Sequence, residues 1–448
     1  MEFIKNKKEL GITRMRERAL SFLEAGLFAI DPFSLMKKSL LYSEKFNCLT
    51  VQNTEFNIIS GRIFVVGGGK AAGRMAEALE DVIGEKNITA GFVNALEKNS
   101  KLKIIKVTKA GHPLPDKNGV LGVEKMLALK EEYDINKKDL VVVLLSGGGS
   151  ALLPAPVSGI SLDDKQKTTD ILIKSGANIR EINTVRKHLS RIKGGRLAEY
   201  FAPAKVVSLI ISDVLDNDPQ TIASGPGAID KTVYHDAYAV LEKYQLIQKV
   251  PTAVENYLRK CAQENVRDTP KKLPNASSFI IGSNLELLDA MTLLAKKQKM
   301  KPLVITSRMC RDVLTEAKEL ATDIIAGKYK DYDVLLFAGE TLINVLGKSG
   351  KGGRNQHFSA LFMPYLKNFD KEWVLASIST DGRDYIAGVG GAIIDNNSLH
   401  QAQSANLAYE KYLNDFDAYN LLKKLKNSLI NTENTGTNVG DAGVFILK

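Results

Sequence analysis

Cysteine is nearly absent from this 448-residue chain: Cys48, Cys261 and Cys310 lie far apart and are odd in number. They make neither a disulfide framework nor a C-x-x-C zinc site, and they fit a reducing compartment. The five histidines include no pair at metal-ligand spacing, which disfavours a zinc enzyme. Nor is there a block of one charge. Lys and Arg total 61 against 51 Asp and Glu, a net +10, but the excess is spread along the sequence. Such a balance favours anionic ligands without the concentrated footprint of a nucleic-acid binder. Long apolar runs are missing too. The longest uncharged stretch, Leu140 to Leu162, contains Gly147-Gly148-Gly149 and two prolines, so it reads as a strand entering a loop or helix start rather than a membrane span. The N-terminus carries Lys5, Lys7, Lys8 and Glu9 with no apolar segment before a small-residue cleavage site. A cytoplasmic protein without membrane or nucleic-acid partners is expected.

What remains is an ordinary globular composition, 44% hydrophobic and 25% charged, long enough for two or three domains. Arg14 to Leu40 has helical apolar spacing interrupted at Gly26 and Asp31-Pro32, which predicts two helices. A β-branched run at Arg62–Val66 ends in Gly67-Gly68-Gly69-Lys70, after which Ala72, Met75, Ala76, Leu79, Val82 and Ile83 mark one face of a helix. That is the βα unit of a parallel sheet. The pattern recurs at Leu140–Leu145 followed by Ser146–Ser150, and at Val206–Ile211 followed by Ser212-Asp213. A second set of strand-and-loop segments starts at Phe279, Pro302, Val334 and Val374, and a last strand is expected at Gly443–Leu447. Two α/β domains follow: a parallel-sheet domain over 1–232 and a second over 233–448, with the ligand site in a cleft between them.

Several loops carry residues suited to anion chemistry. Gly67 to Gly73 is not a Walker A loop, which would need Gly at Phe64 and Ser or Thr at Ala71. It does fit the loose dinucleotide pattern through Gly67, Gly69 and Ala72, yet Phe92-Val93-Asn94 supplies no acidic residue for a ribose. Backbone N–H groups around Gly68 and Gly69, with Lys70 at the tip, suit an anion, although a tight turn with a solvated lysine would look alike. Gly148, Gly149 and Ser150 make a second such turn; Leu152 breaks the nucleophile-elbow pattern there, so a serine hydrolase is disfavoured. Ile182, Val185, Leu189 and Ile192 define a helical face, and Arg186 and Lys193 fall within about 40° of it while Arg191 points about 180° away. Cations beside a buried stripe are expensive unless they meet anions. Snorkelling at a domain edge is the alternative. Asp213, at a strand end, could hold Mg²⁺ or take a hydroxyl proton, whereas Asp216 and Asp218 read as turn formers. Later, Gly352-Gly353-Arg354 offers a guanidinium for carboxylate or phosphate, and Thr380–Asp384 and Thr435–Asp441 are further Asp/Thr/Gly loops.

As a set, these segments resemble the glycerate 2-kinase family, whose C-terminal part is the MOFRL domain and whose members are sometimes labelled hydroxypyruvate reductase. The resemblance rests on V-V-G-G-G-K-A at 65–71, G-H-P-L-P-D at 111–116, L-S-G-G-G-S-A-L-L-P-A-P at 145–156 and E-I-N-T-V-R-K-H-L-S-R-I-K-G-G-R-L-A at 181–198. It continues through I-S-D-V to S-G-P at 211–226, G-G-R-N-Q at 352–356, S-T-D-G at 379–382 and T-G-T-N-V at 435–439, in family order over nearly the whole chain. The resemblance implies ATP-dependent phosphorylation of D-glycerate at its 2-hydroxyl, giving 2-phosphoglycerate and ADP with Mg²⁺. It also implies a Rossmann-like N-terminal domain and a MOFRL region at about 330–448, with Lys70 and Arg354 in the active site. The expected roles are charge neutralisation by Lys70, a carboxylate clamp by Arg354, and phosphate binding by Gly68, Gly69, Gly148, Gly149, Ser150, Arg186 and Lys193. Asp213 is a candidate base, with Asp381 and Asp384 as candidate Mg²⁺ ligands. The sequence departs from the family at Arg383 and Tyr385, at Asp216 and Asn217 within Ser212–Asp218, and at Gly440 and Ala442. An NAD(P)H-dependent hydroxypyruvate reductase is the rival enzyme and a sugar-phosphate-binding regulator the non-enzymatic alternative; monomer and homodimer are both open.

Overall fold

The computed structural model describes residues 2–448 apart from 59, 99–100, 265 and 346. Its contacts form two compact units, one over Leu35–Ile281 and the other joining Met1–Ser34 to Gly282–Lys448.

The unit over 35–281 opens with a small antiparallel meander, β1 (Leu40–Ser43), β2 (Cys48–Val51) and β3 (Thr54–Asn57). Its main sheet contains β4 (Ile63–Gly68), β5 (Ile88–Ala95), β6 (Ile105–Lys109), β7 (Leu140–Ser146), β8 (Lys205–Ile211) and β9 (Ala276–Gly282). They lie in the order β6-β5-β4-β7-β8-β9, and the pairs β5·β6, β4·β5, β4·β7 and β7·β8 are parallel. Counted by appearance this is 3-2-1-4-5-6, the doubly wound order, which reverses direction between β4 and β7. Every residue of β4 and of β7 is buried, as expected of parallel strands covered on both faces. The helix Ala72–Ile83 buries Ala72, Met75, Ala76, Leu79 and Ile83, the face read from their spacing. Phe64, Val66, Val141, Val143, Val206 and Ile210 pack with Leu153 and Phe201 into one core.

The second unit has a mixed sheet of β10 (Pro302–Met309), β11 (Val334–Gly339), β12 (Trp373–Ser379), β13 (Val389–Asp395), β14 (Leu429–Asn431) and β15 (Asp441–Leu447). The order is β10-β11-β15-β12-β13-β14; β10 and β11 are parallel and the remaining neighbours antiparallel. The β11 and β15 strands therefore run in opposite directions, which brings Gly339 opposite Asp441.

The grouping departs from a division at 232/233. Helices Tyr234–Lys243 and Thr252–Gln263 place Tyr234, Val240, Leu241 and Leu258 in one cluster with Ile182, Val185 and Leu189, and β9 then closes the edge of the first sheet beside β8. The Pro-containing stretch 269–274 is thus a turn feeding that strand. The N-terminal helix Arg14–Ala29 instead joins the second unit. Its Arg16 is almost wholly buried, with Nε donating to Asp395 Oδ2 at 2.6 Å and Nη1 donating to the Asn427 carbonyl at 2.6 Å. Removing one partner of a buried pair leaves the other charge stranded. Arg16→Met is expected to cost about 3–5 kcal/mol, read as a lowered urea midpoint; an unchanged midpoint would remove the pair from the account of how the N-terminus is anchored.

Candidate active site

Ligands of doubly wound sheets sit outside the carboxyl ends of the strands, where the strand order reverses. Here that point is flanked by the turns following β4 and β7. The turns are tied together: Gly69 N–H donates to the Asn94 carbonyl (3.2 Å), Lys70 N–H to the Gly147 carbonyl (2.8 Å) and Ala71 N–H to Ser146 Oγ (3.0 Å). Gly69 has φ +154°, and a Cβ there would lie 2.2 Å from Ser146 Oγ, so only glycine lets the turns close this far. Over Gly148 (φ +76°), a Cβ would meet His112 Nε2 at 3.0 Å and Lys70 Cγ at 3.2 Å. The structure thus gathers Gly68, Gly69, Lys70, Gly148, Gly149 and Ser150 at one place. Ser150 Oγ lies 2.9 Å from Ser224 Oγ, which donates to Asn183 Oδ1 at 3.2 Å. Ala223 (φ 51°) and Ser224 (φ 62°) both hold left-handed conformations without being glycine, a strain that concentrates at functional sites.

Beside Gly148 opens a pocket of about 360 Å³. Pro113, Leu114, Pro115 and Ile173 contribute apolar wall, Lys165, Arg186 and Lys193 contribute positive charge, and Asp170 contributes a carboxylate that pairs with Lys174. The expected single helix through 182–193 is not formed. The helix is Ile179–His188, closed at its start by Asn178 and Glu181 in a reciprocal capping box, and Lys193 arrives from the turn beyond it. Arg196 shapes that turn, its Nη1 donating to the carbonyls of Lys187 (3.1 Å) and Ser190 (2.7 Å). Arg186 and Lys193 nevertheless reach the same pocket, while Arg191 points outward and pairs with Glu124. Lys193 is 1% exposed, and its Nζ donates to the carbonyl of the strained Ala223 at 3.0 Å. Burial pushes its ammonium well below the usual lysine range, with Lys165 and Arg186 adding repulsion. Lys165, buried and bonded only weakly to the Leu189 carbonyl (3.3 Å), is pushed down to about 7 by burial and by Arg186 and Arg196. Among the described residues no carboxylate pairs with these three cations. Lys165 was not singled out by sequence; its place in an otherwise polar helix, Leu162–Lys174, gives no cue that it turns inward.

Asp213 follows β8, so it emerges at the same carboxyl edge as the two glycine turns. Asp218 behaves as a turn former, accepting from Gln220 N–H at 3.0 Å. Asn94, where a ribose-binding acid would stand, is fully buried and donates to the carbonyls of Gly119 (2.8 Å) and Leu152 (2.7 Å). It is a tether between elements.

In the second unit the guanidinium of Arg354 is already engaged. Its Nε and Nη2 donate to Asp441 (2.5 and 3.1 Å) and its Nη1 reaches Glu340 (2.8 Å). Burial raises Asp441 to about 6 against the opposing pull of Arg354. Two carboxylates thus hold the Arg354 guanidinium, which the sequence suggested as a clamp for a substrate carboxylate. Asp384 is likewise reassigned. It is buried and accepts from the backbone N–H groups of Asn355 (3.2 Å) and Gln356 (2.8 Å) and from both their side-chain amides. It caps the N-terminus of helix Arg354–Tyr365. Asp381 Oδ1 accepts from Ser379 Oγ and Arg383 N–H. With both its oxygens occupied by N–H donors, Asp384 does not fit Mg²⁺, and no group of three metal-ligand side chains that would include Asp381 occurs among the described residues. No single helix among the described residues is long and apolar enough to cross a membrane.

Comparison with known proteins adds an independent line. Residues 18–259 match a domain of unknown function (DUF4147) and residues 333–441 match the MOFRL family. The chain is 36% identical to the glycerate 2-kinase of Pyrococcus horikoshii over 97% of each chain. It is 38% identical to the D-glycerate 2-kinase of Thermotoga maritima, over 92% of this chain and 98% of that one. A crystal structure of glycerate kinase from Thermotoga maritima superposes with a TM-score of 0.82 and 34% identity, covering 96% of this chain and 98% of that one.

The buried lysine yields a test of sign. Between about pH 7 and 10.5 the unfolded chain holds a proton on Lys165 that the folded chain has released. Stability therefore rises with pH in that window. Lys165→Met lacks this slope: it should exceed wild type most below pH 7, with the gap closing toward pH 10. Urea melts at pH 6.5 and 9.5 read it, and a gap independent of pH would contradict the burial of a strained ammonium.

Proposed function

The chain belongs to the glycerate 2-kinase family, and from that premise we propose that it transfers the terminal phosphoryl group of ATP to the 2-hydroxyl of D-glycerate, releasing 2-phosphoglycerate and ADP. The observation that carries this reading is the pair of interlocked glycine turns at the reversal between β4 and β7, with Lys70 at their tip. Phosphoryl transfer asks little covalent chemistry of the protein; it asks for positioning and for charge neutralisation as the bridging oxygen leaves. The turn at 147–150 supplies backbone donors for phosphate oxygens, while the N–H groups of Gly69, Lys70 and Ala71 tie the turn after β4 in place. Lys70 neutralises charge on the transferring group. Arg186 and Lys193 extend positive potential along the adjoining pocket, and Asp213 accepts the proton of the attacking hydroxyl. The family resemblance gives Arg354 a part in the reaction, and Asp441 and Glu340 hold its guanidinium in a fixed orientation. No step is assigned to Asp381 or Asp384.

The reductase alternative loses support from Asn94, whose amide is spent on two carbonyls at the position where a ribose would need an acid. The free cysteines, with Cys310 exposed, support a cytoplasmic location.

ADP release should depend on D-glycerate, and the product should be consumed by enolase, which accepts the 2-phospho isomer and not the 3-isomer. Lys70→Ala should lower turnover by about 10²–10³-fold, the scale of losing one preorganised charge-stabilising donor. A 3-phospho product would move the reaction to the other hydroxyl, and near-normal turnover in the variant would take Lys70 out of catalysis.

A further inference from the structure

Lys165, Arg186 and Lys193 form a concentration of charge that the protein does not neutralise itself. Elsewhere the same unit gives its buried basic groups carboxylate partners: Lys187 meets Asp230 at 3.1 Å and His188 Nε2 lies 3.0 Å from Asp268 Oδ1. In the pocket, three basic side chains face one another instead, and among the described residues they share only carbonyl partners, those of Leu189 and Ala223. Three buried basic groups with no carboxylate partner among the described residues are arranged for an anion to arrive, which restores the protons that burial drives off Lys165 and Lys193.

Two anions are available in the reaction, the nucleotide phosphates and the acceptor acid. The turn at 147–150 offers backbone N–H donors to phosphate, whereas this pocket is lined by the side chains of Lys165, Arg186 and Lys193 among apolar prolines and Ile173, with Asp170 also in its wall. At about 360 Å³ the pocket has ample room for a three-carbon acid, and Gly148 belongs to both pocket and turn, so a molecule seated here would have its hydroxyl end beside Lys70. Arg354, the other candidate partner for a carboxylate, already holds two.

We propose that Lys165, Arg186 and Lys193 form the seat of the acceptor's carboxylate, with Lys165 an anion-binding residue that selects a three-carbon acid over an uncharged polyol; the identity of the acid rests on the kinase reading. Arg186 supplies a planar fork matched to a carboxylate, and the two ammonium groups close the remaining lone-pair directions. Removing Lys165 should therefore weaken the acid and spare the nucleotide.

The test is calorimetric titration of the full chain with D-glycerate, with glycerol and, separately, with a non-hydrolysable ATP analogue, alongside steady-state kinetics. Lys165→Met should weaken D-glycerate binding and raise its KM at least tenfold, while affinity for the ATP analogue stays within twofold and kcat falls less than KM rises. Lys165→Arg should recover most of the loss, and glycerol should bind neither protein measurably. Lys165→Gln, which keeps a polar group in place, serves if the Met variant fails to give a wild-type thermal melt. Unchanged D-glycerate binding in a folded variant would overturn the proposal. So would a loss confined to the ATP analogue, which would hand the pocket to phosphate, and so would a wild type that does not bind D-glycerate. If the wild type binds D-glycerate but releases no ADP, the kinase reading fails on its own while the titrations still judge the pocket.

Discussion

The structure depends on an imbalance of charge in one buried place. Burying an ion costs several kcal/mol even after relaxation, and the usual remedy is a partner of opposite sign. The chain uses that remedy freely where the purpose is to hold elements together, in Arg16 with Asp395 and Lys187 with Asp230. Burial raises the Asp230 carboxyl, but Lys187 and Thr232 outweigh it and keep the group ionised. Around Lys165, Arg186 and Lys193 the remedy is withheld. The contrast separates charges that build the fold from charges that await a ligand.

What keeps these cations in place is the sheet beneath them. The order β6-β5-β4-β7-β8-β9 puts its reversal at β4 and β7, and parallel pairing sends Lys70, Ser150 and Asp213 out of the same edge. The turns meet closely because Gly69 leaves room for Ser146 Oγ. The left-handed backbone at Ala223 and Ser224 then turns the Ala223 carbonyl to Lys193 and the Ser224 hydroxyl to Asn183. Strain in that segment is offset by the contacts it makes possible. The second unit follows a different logic: Asp384 spends its charge on capping the helix that begins at Arg354, and Asp441 spends its charge on Arg354 itself.

Much of this was legible in the sequence. Runs such as Leu140–Leu145 could hardly be anything but buried parallel strands, and the spacing from Ala72 to Ile83 marks its helix directly. Glycine after a strand pointed to the two turns, and Arg186 and Lys193 stood out as cations beside an apolar stripe. Three things were hidden, each because it depends on contacts distant in sequence. The division between units was obscured because residues 276–282 return to the first sheet while the N-terminal helix packs with the second unit. The helix through Arg186 stops at His188, and only the carbonyl contacts of Arg196 show how Lys193 still arrives. Lys165 sits among Asp163, Asp164 and Lys167 on a helix that reads as solvated throughout, and its inward turn follows from the tertiary fold alone. Asp384 illustrates the converse error, since an aspartate in a glycine-rich loop looks like a metal ligand until its oxygens are found on helix N–H groups.

The most direct measurement is a crystal structure with D-glycerate and a non-hydrolysable ATP analogue bound together. The account predicts the acid's carboxylate against Lys165, Arg186 and Lys193, its 2-hydroxyl toward Lys70, and the nucleotide's phosphates on the turn at 147–150 beside Lys70. A carboxylate bound instead by Arg354, with Asp441 displaced and the three cations still facing one another empty-handed, would contradict it.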